Sequence, residues 1–262
     1  SAFNSDGFSV GTDSNVNESG VNQVAWCWKA GGSASSNSNG SITSTVSAST
    51  DAGFSIVSWT GSGANATIGH GLGAEPKIIF LKIRTGTNNW QVYNKSIGSG
   101  NALYLNTTDA SESNTGWQST DATSSVFSVS DGTAVNGSDA SLIAYCFADV
   151  QGFSKVSGSY VGNGNADGTF VYTGFRPAWV MFKNASAGSS NWQIYDNKRN
   201  GYNGSNELFR ANATDVGEVV DPIDILSNGF KQLNTAASNN VSGQTYIYMA
   251  FAEAPFVNSN GV

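Results

Sequence analysis

GFSIVS at residues 53–58 returns 99 residues later as GFSKVS at residues 152–157, and this repetition decides the architecture of the chain. Two further pairs follow in the same order, at offsets of 101 and 102: Pro76–Lys82 with Pro177–Lys183, and Trp90–Asn94 with Trp192–Asp196. An offset that drifts by one or two residues is typical of small loop insertions between copies of one unit. The sequence therefore predicts a tandem duplication.

A third and shorter copy opens the chain. Three aromatic pairs have nearly the same separation, 20, 20 and 21 residues: Phe8 with Trp28, Phe127 with Phe147, and Phe230 with Phe251. Each pair brackets a turn rich in Gly, Asn, Ser and Asp and ends in an apolar stretch, the first being VAWCWKA at residues 24–30. We expect residues 1–30 to be the last hairpin of a truncated repeat, continued upstream or docked on a neighbour, because two strands alone bury too little apolar surface.

The apolar runs are short, β-branched or aromatic, and separated by turn-forming clusters at a spacing of roughly 8–14 residues. This pattern favours an all-β chain of tandem antiparallel β-sandwiches, of the jelly-roll or lectin-like type. The predicted organisation is a hairpin at 1–30, a Ser/Gly/Asn-rich linker at 31–52, and sandwich repeats at 53–151 and 152–262. We expect residues 31–40 to be flexible, a short strand at Ile42–Ala48, and a weakly indicated helix at Asn206–Asp215.

The charge balance argues against two classes of partner. The 262 residues include 12 basic and 19 acidic side chains, which give a net charge of −7, and the basic ones are scattered. Binding to nucleic acid or to an anionic membrane surface needs clustered Lys and Arg. No apolar run approaches the roughly 20 residues that span a bilayer. We therefore expect neither nucleic-acid binding nor membrane insertion.

The two cysteines and the single histidine offer little chemistry. Cys27 and Cys146 occupy the same position in two copies, where the third copy has Ala250. Equivalent positions lie about one domain apart, beyond the Cα separation of about 7 Å that a disulfide allows, so we predict two buried free thiols. His70 lies in the stretch GHGLG, and the second copy has Val171 near that position. A structural turn residue is favoured over a catalytic base or a metal ligand.

Metal ligands and paired carboxylates are weakly indicated. Residues Asp196–Glu207 resemble a calcium loop, but Lys198 occupies the third ligand position, which needs an oxygen. The acids form repeat-equivalent pairs instead of one site: Asp109 with Asp215, and Asp149 with Glu253. Turn or strand-end roles explain such pairs. We predict no catalytic residue, no metal site and no cofactor.

Aromatic side chains are the stronger indication of binding. Three positions are bulky in both full copies, as core positions are: Trp59 with Tyr160, Trp90 with Trp192, and Ile78 with Trp179. Trp117 lacks an aromatic counterpart and lies near Asn114 in the polar stretch SNTGWQS, and Tyr202 lies in a similar loop near Asn200. An exposed aromatic among amides and hydroxyls suits stacking on a sugar or contact with a protein. These four residues are the candidate ligand-binding residues, with core or interface packing the alternative for Trp117.

Several stretches resemble a repeat found in tail or fibre proteins of marine bacteriophages. They are GFSIVSWTGSGANATIGHGLGAEPKIIFLK (53–82), WQVYNK (90–95), YTGFRPAWVMFKNAS (172–186), NWQIYDNKRN (191–200), ILSNGF (225–230) and YIYMAFAEAPF (246–256). The resemblance covers about residues 40–256 and implies a structural role in a virion, without supplying any catalytic residue. More loosely, the order of motifs resembles the six-stranded sandwiches of H-type lectins, which implies a fold and only weakly a function.

We therefore expect a non-enzymatic structural protein of a phage virion, an extracellular tail fibre or appendage. It would be a homotrimer that contacts other virion proteins and attaches through polar loops and exposed aromatics to a host-surface glycan or protein. Three alternatives stay open from the sequence. They are a head-decoration or spacer module, a polysaccharide depolymerase, and a bacterial surface adhesin with the same fold.

Overall fold

A computed structural model describes residues 2–4, 7–199, 203–204, 206–214, 217–220 and 222–253. Over these residues the chain consists mainly of β-strands and loops. Its helical parts are two four-residue helices, α1 (Ser14–Asn17) and α2 (Thr133–Asn136), and a 3-10 turn at Lys95–Ile97. The predicted all-β sandwich class is confirmed. No helix within the described ranges is long and apolar enough to cross a membrane.

The N-terminal segment differs from the predicted hairpin. β1 (Ala2–Phe3) pairs with antiparallel β2 (Phe8–Ser9), and α1 follows at once. Residues 21–30, which include the apolar VAWCWKA stretch, lie in no strand. The prediction of a strand there is wrong, because a strand forms only where a neighbouring strand accepts its backbone hydrogen bonds.

The first sandwich pairs a large sheet with a small one. Its strands are β3 (Ser35–Asn37), β4 (Ser44–Ser49), β5 (Phe54–Thr60), β6 (Ala66–Gly69), β7 (Ile78–Ile83), β8 (Gln91–Asn94), β9 (Asn101–Tyr104), β10 (Glu112–Ser113), β11 (Val126–Val129) and β12 (Ser141–Phe147). The large sheet has the order β10-β9-β8-β7-β12-β5-β4-β3, and the small sheet pairs β11 with β6. Residues 35–37, predicted as flexible linker, are therefore part of the large sheet.

The second sandwich repeats this plan. Its strands are β13 (Ser154–Val161), β14 (Phe170–Tyr172), β15 (Pro177–Asn184), β16 (Gln193–Asp196), β17 (Asn206–Arg210), β18 (Glu218–Val220), β19 (Ile223–Leu226), β20 (Gly229–Gln232) and β21 (Thr245–Ala252). The large sheet has the order β13-β21-β15-β16-β17-β18, and the small sheet has the order β14-β20-β19. The weak helix prediction at Asn206–Asp215 is wrong, because β17 occupies its first half and pairs with β16 and β18.

The two large sheets pack against each other, so the chain forms four layers. Each sandwich has its own apolar core, and a third cluster joins the facing large sheets. Because both faces of a large sheet are covered, the β7 sequence, IIFLKI, is mainly apolar. Ile79 and Leu81 belong to the core of the first sandwich, whereas Ile78 and Phe80 belong to the cluster between the sheets. A strand covered on both faces needs a continuous apolar run instead of an alternating one.

Candidate functional site

An aromatic groove of about 650 Å³ lies at one end of the seam between the two large sheets. Residues 25–29 of the N-terminal segment form one wall, and residues 49–52 form part of another. Six aromatic residues contribute to its lining: Trp26, Trp28, Phe54, Phe153, Trp179 and Phe251. Ligand sites in proteins are mainly apolar clefts of about 300–1,000 Å³ with a few polar groups, and the groove falls in this class.

The repeated GF dipeptide positions two of these rings. Gly53 and Gly152 have φ angles of +59° and +73°, a left-handed conformation that glycine adopts without steric cost. Gly53 directly precedes β5, and Gly152 lies two residues before β13. Phe54 and Phe153 follow directly, and both contribute to the cluster between the sheets. The motif that reveals the duplication therefore also builds the floor of the groove from both sides.

Two tryptophans hold the N-terminal segment against the seam. The Trp28 ring packs edge-on against Phe147, Trp179 and Phe251, with centroid separations of 6.2, 5.4 and 5.4 Å. Aromatic pairs of this kind contribute about 0.5–1.5 kcal/mol each beyond their buried area. Trp26 packs in the same way on Trp179 at 6.4 Å. Residues 25–30 are thus fixed by side-chain packing although they form no strand.

Trp26 also connects the groove to a buried ion pair. Its indole Nε1 donates to Asp196 Oδ2 over 3.1 Å, and Arg199 Nε binds the same oxygen over 2.6 Å. The Arg199 guanidinium lies 4.4 Å from the Phe209 ring centroid and 5.6 Å from that of Trp26. Burial would raise the pKa of the Asp196 carboxyl, but hydrogen bonds from the Lys198 N–H, Arg199 and Trp26 outweigh burial and lower that pKa. The carboxylate therefore stays ionised and holds the wall in place.

The rim of the groove is polar. Lys29 and Asp51 are exposed and line the opening together with Ser49. Trp26, Trp28 and Phe153 are half-buried, so part of each ring is accessible. Planar apolar rings beside a cation, a carboxylate and a hydroxyl can stack on the C–H face of a sugar while bonding to its hydroxyl groups.

Trp117 is not an exposed binding residue. Its side chain is 1% exposed, lies in the core of the first sandwich, and packs edge-on against Tyr93 at 5.6 Å. The polar neighbours that made the stretch look like a surface loop bind backbone groups instead. The Gln118 amide donates to the carbonyls of Ala66 and Val129 over 3.0 and 2.6 Å. The prediction that Trp117 is exposed is wrong. The alternative, packing of Trp117 in the core, is what the structure shows.

Asn114 does not form an exposed binding site with the buried Trp117. Asn114 is half-buried, and its Oδ1 accepts from the Gly116 N–H over 2.6 Å. It lines a separate cavity of about 350 Å³ with Tyr104 and Thr133, away from the aromatic groove. Tyr202 and Asn200 lie outside the described residues, so their candidacy stays a prediction. The groove was missed because its residues come from five separate stretches of sequence.

His70 is a buried turn residue, as the sequence indicated. Its Nδ1 accepts from the Leu72 N–H over 3.3 Å, and its Nε2 lies 3.1 Å from the Thr123 carbonyl oxygen. Both ring nitrogens are therefore bonded to backbone. The structural counterpart is Thr173, because the two residues make matching backbone bonds to Ser125 and to Asn228. The sequence-based alignment to Val171 is wrong by two residues, because the second copy has a shorter loop before Pro177.

The cysteines differ from each other. Both are free thiols, but Cys27 is exposed, so the prediction of two buried thiols is wrong for that residue. Cys146 is completely buried, and burial raises the pKa of its thiol to about 12. Cys27 is exposed because residues 24–30 have no sheet over their other side.

Asp149 and Glu253, one of the two predicted acid pairs, make structural contacts. Asp149 accepts from the N–H groups of Val156 and Ser157 over 2.7 and 2.9 Å, at the irregularity in β13. Glu253 pairs with Arg176 over 3.3 Å. In the loop that resembles a calcium site, Asp196 is bonded to Arg199, and Asn200 lies outside the described residues, as does Asp215 of the other acid pair. Within the described ranges, no cluster of three or more His, Cys, Asp or Glu residues could hold a metal.

The fold and the groove define a class of layered all-β protein in which two stacked sandwiches frame an aromatic cleft. The chain belongs to the family described as Domain of unknown function (DUF7483), which matches residues 1–255. No curated protein and no solved structure matches the chain.

Proposed function

We propose that this chain is a structural part of a bacteriophage virion, an extracellular tail fibre or similar appendage that contributes to attachment to a host-surface glycan. The observation that carries the binding role is the aromatic groove with its polar rim, built between two packed sandwiches. The virion setting is supported by the resemblance of the repeat motifs to marine phage tail and fibre proteins.

A glycan is the favoured ligand because of the chemistry of the groove. Sugar rings have an apolar C–H face that stacks on aromatic rings, and Trp26, Trp28 and Phe153 are accessible in part. Sugar hydroxyls need donors and acceptors, which Lys29 and Asp51 supply. A groove supported by packed sheets loses little conformational entropy when a ligand binds, and this favours affinity.

The chain is proposed to bind the glycan without hydrolysing it. A glycosidase needs two carboxyl groups within about 5–10 Å across the scissile bond. Among the described residues that line the groove, Asp51 is the single carboxylate. A depolymerase would therefore need a second acid from elsewhere.

The test is a fluorescence titration of the chain with purified surface polysaccharide of a candidate host, using the tryptophans near the groove as reporters. Asp51→Ala should raise the dissociation constant about tenfold, as expected for one lost hydrogen bond to a charged group. Asp131→Ala, an exposed carboxylate away from the groove, is the matched control and should bind like the natural chain.

Two other functions have distinct outcomes in the same preparation. Release of reducing ends from the polysaccharide would identify a depolymerase. Absence of binding to every host glycan tried, with normal incorporation into particles, would favour a decoration or spacer module. Light scattering tests the proposed homotrimer: a mass near three chains supports a fibre, whereas a monomer contradicts trimerisation by this chain alone.

A further inference from the structure

Residues 7–30 carry the same pattern as residues 126–149, at a constant offset of 119. Phe8, Val10 and Val16 align with Phe127, Val129 and Val135. The same offset superposes α1 on α2, at Ser14–Asn17 and Thr133–Asn136. The N-terminal segment is therefore the counterpart of the final part of the first sandwich, β11, α2 and β12.

The aligned side chains have opposite environments. Phe127, Val129 and Val135 are 1%, 0% and 3% exposed, whereas Phe8, Val10 and Val16 are 46%, 41% and 46% exposed. A contiguous pattern that makes a core in one copy is thus open to solvent in the other. Apolar surface that is exposed in this way marks an interaction site in a soluble protein.

The first sandwich shows what covers such a face. β12 lies between β5 and β7, with Ala144 opposite Val57 on one side and opposite Leu81 on the other. β11 pairs with β6 along its whole length. The complement of a β11–α2–β12 segment is therefore a set of three strands like β5, β6 and β7.

A buried asparagine specifies the complement further. Asn136 accepts from the Trp59 indole over 3.1 Å and donates to the Ala64 carbonyl over 2.7 Å, which holds the loop after β5. Asn240 holds the matching loop of the second sandwich, where its amide donates to Asn165. Asn17 aligns with Asn136 but is exposed, and its amide donates to the nearby Gly11 carbonyl. The expected complement thus also carries a loop that this amide can hold.

The opposite face of the segment already packs against the rest of the chain. Trp26 and Trp28 align with Tyr145 and Phe147, and all four belong to or pack against the cluster between the large sheets. The first sandwich uses Tyr145 and Phe147 in this way while its other face closes its own core. The segment is therefore held on one side and open on the other.

We propose that residues 7–30 are a docking segment for an incomplete β-sandwich, namely a polypeptide with strands like β5, β6 and β7 and the loop after β5, but without its own last hairpin. On docking, residues 24–30 become the central strand between two partner strands, and Phe8, Val10 and Val16 enter the partner's core. Residues 25–29 of this segment also form one wall of the groove, but the capture experiment below measures docking and the glycan titration measures sugar binding, so either proposal can fail without the other.

The experiment pairs the full chain with a tagged polypeptide of residues 53–125, co-expressed as the probe, because this stretch carries β5, β6 and β7 without β11 and β12. A peptide of residues 126–151 serves as the positive control for the probe. We expect capture of the full chain by the tagged probe. We also expect at least tenfold slower reaction of the exposed Cys27 thiol with a disulfide reagent, whereas buried Cys146 stays unreactive in both states.

Variants make the result specific. Val16→Asp with Asn17→Ala should abolish capture without changing the melting temperature, because both side chains are exposed. Val219→Asp, which changes another exposed valine in the second sandwich, should leave capture intact. Absence of capture by a probe that binds its control peptide overturns the proposal, as does capture that persists in the double variant. A full chain that is oligomeric alone and becomes monomeric in the double variant also overturns it, because the occupant would then be a second copy.

Discussion

Residues 7–30 and residues 126–149 share a sequence pattern but not a structure. Both contain a four-residue helix at the same place, and α1 is capped by Asp13, whose carboxylate accepts from the Asn15 N–H over 2.9 Å. Only the second segment forms long strands. The helix depends on neighbours in sequence, so it forms in both places, although α2 has Gly132 at its N-cap and therefore no side-chain cap. The strands depend on partners that are distant in sequence, so they form only where β5, β6 and β7 are present.

The two sandwiches differ at one edge in a related way. In the first, β4 extends the large sheet, and the Ser44 hydroxyl donates to the Gly69 carbonyl over 2.7 Å. The second sandwich has no counterpart of β4 in the described chain. There the Tyr248 hydroxyl lies 3.3 Å from the Tyr172 carbonyl, and its ring occupies the space above Gly158. One large side chain of the second sandwich therefore reaches the small-sheet carbonyl that a residue of an added strand reaches in the first.

The largest expected contrast is between two phenylalanines. Phe127→Ala should lower the free energy of unfolding by about 3–5 kcal/mol, because it leaves a cavity in the core of the first sandwich. Phe8→Ala should change it by less than about 0.5 kcal/mol, because that side chain is exposed. Urea unfolding followed by tryptophan fluorescence measures both. Equal losses would show that residues 7–30 are packed in solution.

A smaller contrast is expected between the aligned asparagines. Asn136→Ala should destabilise the chain by about 1–3 kcal/mol, because the Trp59 N–H and the Ala64 carbonyl lose a buried partner. Asn17→Ala should be neutral to stability, since Asn17 is exposed. The same unfolding assay compares them, with Asn240→Ala expected to resemble Asn136→Ala. A neutral Asn136→Ala variant would contradict the role of this amide as a clamp.

The turns at His70 and Thr173 give a contrast in pH dependence. Burial lowers the pKa of His70 below its ordinary value of 6.5, and the bond to the Thr123 carbonyl offsets part of this effect. The unfolded chain therefore binds a proton on this imidazole more tightly than the folded chain does. As a result, the free energy of unfolding decreases as pH falls below about 6.5. Carboxyl groups with lowered pKa values, such as Asp149 and Asp196, act only at lower pH.

His70→Thr, which copies the residue of the second sandwich, should remove most of the decrease between pH 6.5 and pH 5. Urea midpoints measured at pH 7.5 and pH 5 for both proteins provide the comparison. His70 is the only histidine in the chain, so no other imidazole contributes in this window. An unchanged slope in the variant would place the acid sensitivity elsewhere.

The smallest effect concerns reactivity and leaves stability unchanged. Cys27 should react with a thiol reagent in the folded chain, whereas Cys146 should react only after unfolding, because it is buried and its thiol pKa is raised to about 12. Counting labelled thiols by mass before and after denaturation tests this. Two labels on the folded chain would mean that β12 opens readily, and none would mean that residues 24–30 are covered.

Particular residues show how far sequence reasoning reached. The pairing of Trp59 with Tyr160 and of Ile78 with Trp179 indicated core positions, and all four are buried. The aromatic groove was not predicted, although Phe54 and Phe153 belong to the very motif that revealed the repeat. Their meeting depends on the stacking of two sheets, and no local pattern encodes which outer faces will pack together.

Composition, period and repetition by themselves determined the all-β class and the structural role of the single histidine. Turn geometry and strand alternation are local, so a short stretch of sequence is enough to specify them. Only the tertiary structure decided that Trp117 is buried, that Phe8 and Cys27 are exposed, and that Trp26 and Trp28 close a seam. An apolar side chain needs cover, but which surface provides it depends on distant parts of the chain, because hydrophobic burial has no direction of its own.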